Sequence, residues 1–209
     1  TGSGSTRTVN VNTGTGSGTI QLNLSSVTPA IPDTAGNNLA ATFNSGEVYT
    51  IDKAAPTVTS ITRGGASPTN ATSVSYTVNF SESVTGVATG NFTLTTTGVA
   101  GASVTSVSGS GTSRTVTVNT GSGSGTIRLD LTVFTPAIAD AAANNLAAAF
   151  NSGEVYTVDK TAPTVNSILR AAANPTAAAS VTFNVTFSES VTGVAPGNFP
   201  TPGAAAKLQ

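Results

Sequence analysis

The chain repeats itself at an offset of 107 residues without a gap, and no other property restricts its fold as much. Arg7 aligns with Arg114, Asp33 with Asp140, Glu47 with Glu154, Asp52 with Asp159, Pro56 with Pro163, Glu82 with Glu189 and Phe92 with Phe199. FNSGEVYT recurs verbatim at 43–50 and 150–157, and FSESVTGVA at 80–88 and 187–195. A period of this length is a domain-sized unit, too long for a solenoid repeat or a propeller blade. The punctuation gives its boundaries. IDKAAPT and VDKTAPT each end one Val-rich run and begin another, and Pro breaks strand pairing where a linker should. The expected organisation is one complete module at 54–160, preceded at 1–53 by the C-terminal half of a module and followed at 161–209 by an N-terminal half.

Within the complete module the apolar period is two, as in half-buried strands. Val74, Tyr76, Val78 and Phe80 alternate with polar residues, as do Val116 and Val118, and Ile127, Leu129, Leu131 and Val133. Thr is frequent at the outward positions, where a β-branched polar side chain suits a solvated pleat. The pattern predicts strands near 57–63, 73–81, 91–97, 102–108, 113–120, 125–133 and 153–160, several of them separated by Gly/Ser/Asn/Pro clusters. The stretch AAANNLAAAF at 141–150 allows one short turn of helix. Seven short strands in such a unit predict an all-β, immunoglobulin-like two-sheet Greek-key sandwich, repeated in tandem. With no Cys and no Trp in the chain, its core must rest on Val, Ile, Leu, Phe and Tyr.

The succession APTVTSI, SVSYTVNFSESVTGV, NFTLTTTG, SRTVTVNTGSGSGTIRLDL, DTAGN or DAAAN, and GEVYTVDKTAPT resembles the bacterial immunoglobulin-like repeats strung in tandem in large cell-surface and adhesin-type proteins. The likeness spans nearly the whole chain, and FSE-x-VTG, the D-x-A-G-N loop and the D-K-T-A-P-T linker are its most specific parts. It implies an extracellular stalk or adhesive array at the cell surface, with calcium bound between modules in several relatives. The chain departs from the pattern in two places. Gly36 of the first copy is Ala143 in the second, and Pro200 and Pro202 replace the equivalents of Thr93 and Thr95.

The absence of His and Cys excludes a Ser-His-Asp triad, a thiol nucleophile and thiolate or imidazole metal sites. A net charge of -1, with eight scattered Lys and Arg, argues against nucleic acid as a partner. No apolar run approaches a membrane span, so no membrane insertion is expected.

The carboxylates remain. In the expected topology Glu82 opens the loop after the second strand, Asp140 lies in the loop before the last, and Asp52 sits in the linker entering the same pole. These three should converge at the junction, where a Ca²⁺ ion wants six to eight oxygen ligands. Asn144 and Glu154 are weaker candidate ligands. The matched positions Asp33, Asn37, Glu47, Asp159 and Glu189 are their counterparts in the other copies. The competing reading makes Asp33 and Asp140 simple Asx-turns, with Asp52 and Glu82 solvated or paired with Lys53.

The expected function is therefore a non-enzymatic structural or adhesive module, a stalk, spacer or filament subunit stiffened by Ca²⁺ at its junctions. Its expected partners are neighbouring modules of the same or adjacent chains, including a head-to-tail filament in which half-modules complement one another. A module binding carbohydrate or another cell-surface ligand is the alternative. A carboxylate hydrolase accessory domain is the more distant one, because paired acids across a cleft can cleave glycosides.

Overall fold

A computed structural model describes residues 4–199. It separates into two compact units, Thr1–Asp159 and Lys160–Gln209. Pro200 and Pro202 lie outside the described residues.

The first unit opens with a two-stranded antiparallel pair, β1 (Gly18–Gln21) and β2 (Val48–Ile51). Then come β3 (Val58–Arg63), β4 (Ser73–Phe80), β5 (Phe92–Thr97), β6 (Ser103–Ser108), β7 (Ser113–Asn119), β8 (Gly125–Leu131) and β9 (Val155–Val158). These seven fall within the segments that the alternation predicts. All pairings among them are antiparallel, in a four-stranded sheet ordered β3-β4-β7-β6 and a three-stranded sheet ordered β5-β8-β9. The protein is thus almost entirely β, in a sandwich-like arrangement of antiparallel sheets.

One core joins the two sheets, because both send their alternating apolar side chains to the same interior. Tyr76, Val78, Val116 and Val118 of the first sheet and Ile127, Leu129, Leu131 and Tyr156 of the second are fully buried together. The rings of Tyr76 and Tyr156 meet edge to face at 5.2 Å, a favoured aromatic geometry. Each hydroxyl then crosses to the opposite sheet: Tyr76 donates to the Ile127 carbonyl at 2.6 Å and Tyr156 to the Ser75 carbonyl at 3.1 Å. A Tyr body is apolar but its hydroxyl needs a partner when buried, so the two rings fill the core and also tie the sheets.

Two sequence expectations give way here. Val133 continues the alternation but is exposed, because β8 ends at Leu131. Buried Asn91 takes over at that point. Its carbonyl accepts from Thr132 and Val133 N–H, and its side chain donates to the Val133 and Pro136 carbonyls while accepting from Ala88 N–H. The stretch 141–150 forms no helical turn. Ala143 stands at φ +67°, in the left-handed region that a right-handed turn cannot use, and Leu146 N–H donates back to Ile138 O, so the chain reverses there.

The second unit contains the antiparallel pair β10 (Val165–Arg170) and β11 (Phe183–Phe187). Its register, including the irregularity between Val165 and Ser167, repeats that of β3 and β4 at the 107-residue offset. The β1–β2 register likewise repeats that of β8 and β9. Among the described residues no helix is long and apolar enough to cross a membrane.

Candidate metal centre

Asp52, Glu82 and Asp140 come together in the first unit, each offering a carboxylate oxygen within 4.8 Å of the others. Asp52 comes from the linker after β2, Glu82 from the loop after β4 and Asp140 from the long connection between β8 and β9. Asp140 is buried, and the other two are half-buried. Among the described residues this is the one group of three or more acids so placed.

Backbone contacts on either side of Glu82 explain its position. Ser81 N–H donates to the Thr57 carbonyl and Thr57 N–H to Ser81 Oγ, which ties the start of the loop to the end of the linker. Thr85 and Ala139 exchange backbone bonds at 2.8 and 3.2 Å, which ties its end beside Asp140. Gly86 follows with φ at +82°, so close to the Ala137 carbonyl that a Cβ there would lie 2.0 Å from that oxygen. The glycine of FSESVTGVA is thus required by a close approach as well as by its dihedral.

Asp140 is held by its own loop. Its Oδ1 accepts from Ala142 and Asn144 N–H at 2.8 and 2.9 Å, and its Oδ2 from the Asn144 side-chain amide at 2.8 Å. That amide also donates to the Asp52 carbonyl at 3.2 Å, so Asn144 bridges the loop and the linker. Asp52 Oδ1 accepts from Ala54 N–H and, at 3.3 Å, from Ser17 Oγ. The Lys53 ammonium donates to Thr13 Oγ1 and to the Gly14 carbonyl.

Asp140 and Glu82 respond to this crowding in opposite ways. The Asn144 side-chain amide, with the loop N–H groups, holds Asp140 below the ordinary carboxylate range in spite of desolvation. Glu82 is pushed above its ordinary value, first by loss of solvent and then by the charges of Asp140 and Asp52. Like charges at this separation repel, and a cation among them would relieve that repulsion.

The other sequence candidates are placed differently. Asp33 and Asn37 repeat the Asp140–Asn144 turn with the same bonds, and Asn37 holds Asp33 low, but both residues are exposed. The Asp159 carboxylate accepts from Ser124 Oγ at 3.1 Å, the counterpart of the Asp52–Ser17 contact. Glu154 does not join the cluster. It accepts from Arg63 N–H at 2.7 Å and from Arg63 Nε at 3.4 Å, and these contacts hold it low. Glu47 lines a groove with Val9, Ile20 and Tyr49, and Glu189 lies in the second unit. Asp140 forms the expected Asx-turn, its oxygens accepting from loop N–H groups, and its carboxylate also lies beside the two other acids. Sequence reasoning missed Ser17 and the Ser81–Thr57 clasp, although Ser17 and Ser124 stand at matched positions.

No family model matches the chain, and neither the characterised proteins nor the solved structures include a match to it.

Proposed function

We propose that this chain is a non-enzymatic structural module of an extracellular tandem array, of the immunoglobulin-like Greek-key type, whose junctions are stiffened by Ca²⁺. The convergence of Asp52, Glu82 and Asp140 carries the reading, because Asp52 belongs to the linker and the other two to the module it enters. A hard cation held by all three would couple the linker to the module and neutralise their charge. The strand order β3-β4-β7-β6 against β5-β8-β9 is the one expected for a seven-stranded immunoglobulin-type sandwich and supports the fold part of the reading. The verbatim segments of successive copies favour a spacer, since a spacer needs the same mechanics in each unit.

The test is a Ca²⁺ titration followed by thermal melting and by the amide exchange of residues 52–57. A ligand bound only by the folded junction stabilises it by roughly 2.7 kcal/mol at a hundred times its Kd, and removal by chelator reverses the gain. Asp52→Asn and Glu82→Gln should each weaken the response. A melting curve indifferent to Ca²⁺ in the unmodified chain would leave the turn-forming role of Asp140 as the whole explanation. Carbohydrate binding is the alternative, and a glycan-binding scan of the chain separates it from a pure spacer.

A further inference from the structure

The two sides of the sandwich are finished differently. Along one side the sheets are tied together: Glu154 N–H donates to the Ile61 carbonyl, Thr69 N–H to the Thr157 carbonyl and Asp159 N–H to the Thr69 carbonyl, with the Arg63–Glu154 ion pair beside them. The other side ends in β5 and β6, the outermost strands of their sheets. A groove of about 460 Å³ between Phe92 and Leu94 on β5 and Ala102 and Val104 on β6 keeps these edges apart. Residues 83–113, which hold both strands, contain no charged residue and no Pro. Edge strands are ordinarily blunted by charge, by Pro or by a bulge, because their unpaired backbone groups are a template for another chain. β6 carries a bulge between Val104 and Ser106, whereas β5 pairs with β8 over its whole length without one. We propose that β5 pairs antiparallel with β5 of a second copy of this chain, about a two-fold axis at Thr95, joining the two side by side.

The ladder shows which groups of β5 are open. Leu131 and Phe150 exchange N–H and carbonyl bonds, so the Leu131 backbone points away from β5, and the next residue, Thr132, donates to the Asn91 carbonyl. Antiparallel pairs alternate between bonded and non-bonded positions. Thr93, Thr95 and Thr97 therefore bond to β8, opposite Asp130, Arg128 and Thr126, while the backbone groups of Leu94 and Thr96 point out along the free edge. Phe92 shares their phase, but its N–H already donates to the Thr89 carbonyl. Thr96 is exposed and Leu94 half-buried.

A second β5 is the occupant that these groups fit. Setting Thr95 opposite Thr95 places Leu94 of each chain opposite Thr96 of the other, in the bonded phase. Each chain brings two N–H groups and two carbonyls, and all of them are closed in four bonds. With Leu94 opposite Leu94 instead, Thr96 would face Phe92, whose N–H is taken, and the Thr96 carbonyls would lack a donor. On the outer face the first register sets Thr95 against Thr95 and Thr93 against Thr97, cross-strand Thr pairs of a stabilising kind. Arg128 and Asp130 of the strand behind already pair with each other at 2.7 Å, so the seam presents no uncompensated charge to a neutral partner. Strand addition of this kind takes its affinity from main-chain bonds, and an isologous contact closes as a dimer. The product is one continuous sheet ordered β9-β8-β5-β5-β8-β9. The proposal goes beyond the structural-module reading, since it needs no cation and gives a chain of the array a lateral partner.

The experiment is sedimentation velocity on the full 209-residue chain, from micromolar to millimolar concentration in chelator, joined to single-cysteine crosslinking. A reversible dimer is expected. Thr96→Pro removes an N–H that the fold itself leaves unused, so it should keep the Tm of the parent within a few degrees. It takes away two of the four bonds and should weaken dimerisation roughly tenfold or more. Thr96→Lys sets a charge opposite Leu94 and should weaken it as well. The chain has no Cys, so Thr95→Cys introduces a single thiol. At a non-bonded position its Cα lies about 4.5 Å from its mate, within disulfide reach. Mild oxidation should then give a covalent dimer, whereas Thr115→Cys, also exposed but on β7, should stay monomeric. A chain monomeric at every concentration overturns the proposal. So does association that both Thr96 variants leave undiminished, which would put the contact on another surface, or oxidation that links Thr95→Cys no faster than Thr115→Cys. A melting curve indifferent to Ca²⁺ would leave this dimer standing, and a monomeric chain would leave a Ca²⁺ shift in melting intact, so the two readings fail separately.

Discussion

The hydroxyl of Tyr76 on β4 donates to the carbonyl of Ile127 on β8 at 2.6 Å, across the interior from one sheet to the other. Tyr76→Phe keeps the ring and removes one buried hydrogen bond between the sheets, at a cost of about 1 kcal/mol. Tyr76→Ala also opens a cavity and should cost about 3–5 kcal/mol. Urea unfolding of the two variants measures the difference, and a Tyr76→Phe variant as stable as the parent would show that the bond contributes nothing.

Ala143 stands at φ +67° where the first copy has Gly36 at +91°. A Cβ in the left-handed region costs roughly 1–2 kcal/mol, partly offset by the greater unfolded-state freedom of Gly. Ala143→Gly should therefore stabilise by about 0.5–1 kcal/mol, visible as a rise of several degrees in Tm at about 4–8 °C per kcal/mol. The reciprocal Gly36→Ala should lower stability or leave it level, never raise it.

Asn91 is fully buried with its amide N–H groups directed at two carbonyls. Asn91→Asp keeps the shape and replaces the donors with a charge facing those oxygens. The expected loss is about 3 kcal/mol or more, whereas Asn91→Ser, which can donate only once, should cost less. Asn91-Phe92-Thr93 has the N-x-T form of a glycosylation acceptor, but the same burial makes it a poor one, which intact-mass measurement after expression in a glycosylating host can check.

The pH response of the metal-free protein follows from two opposite shifts. Glu82 has its folded value raised, so its ionised form opposes folding, and stability increases as pH falls through that raised value towards the ordinary Glu range. Asp140 has its folded value lowered, so it contributes stability above the ordinary Asp range, and that contribution is lost as pH falls through its depressed value. In chelator, Tm should rise on mild acidification and fall on stronger acidification. Glu82→Gln should remove the rise and keep the fall. With Ca²⁺ present the rise should vanish, because protons then compete with the cation.

Much of this molecule was legible in one dimension. Alternation in SVSYTVNF named Val74, Tyr76, Val78 and Phe80 as core residues, and all four are buried. The assumed topology also brought Asp52, Glu82 and Asp140 to one place, since an up-and-down path carries alternate loops to the same pole. The failures cluster where alternation stops carrying information. Val133 keeps the pattern but lies beyond a strand that Asn91 terminates from 42 residues away. Glu154 carries the same charge as Glu82, yet its position opposite Arg63 makes it half of an ion pair.

By itself, then, the sequence determined the 107-residue unit, its strands and the side of each strand that seeks an interior, because these depend on neighbours two residues apart and on direct repetition. Only the tertiary structure decided which acids share a site, which polar residue is buried, and which apolar faces stay open. Tyr49 and Tyr156 stand in the same octapeptide, FNSGEVYT, and are 75% and 1% exposed. Burial is a property of what lies across the interface, and identical local sequences meet different surroundings.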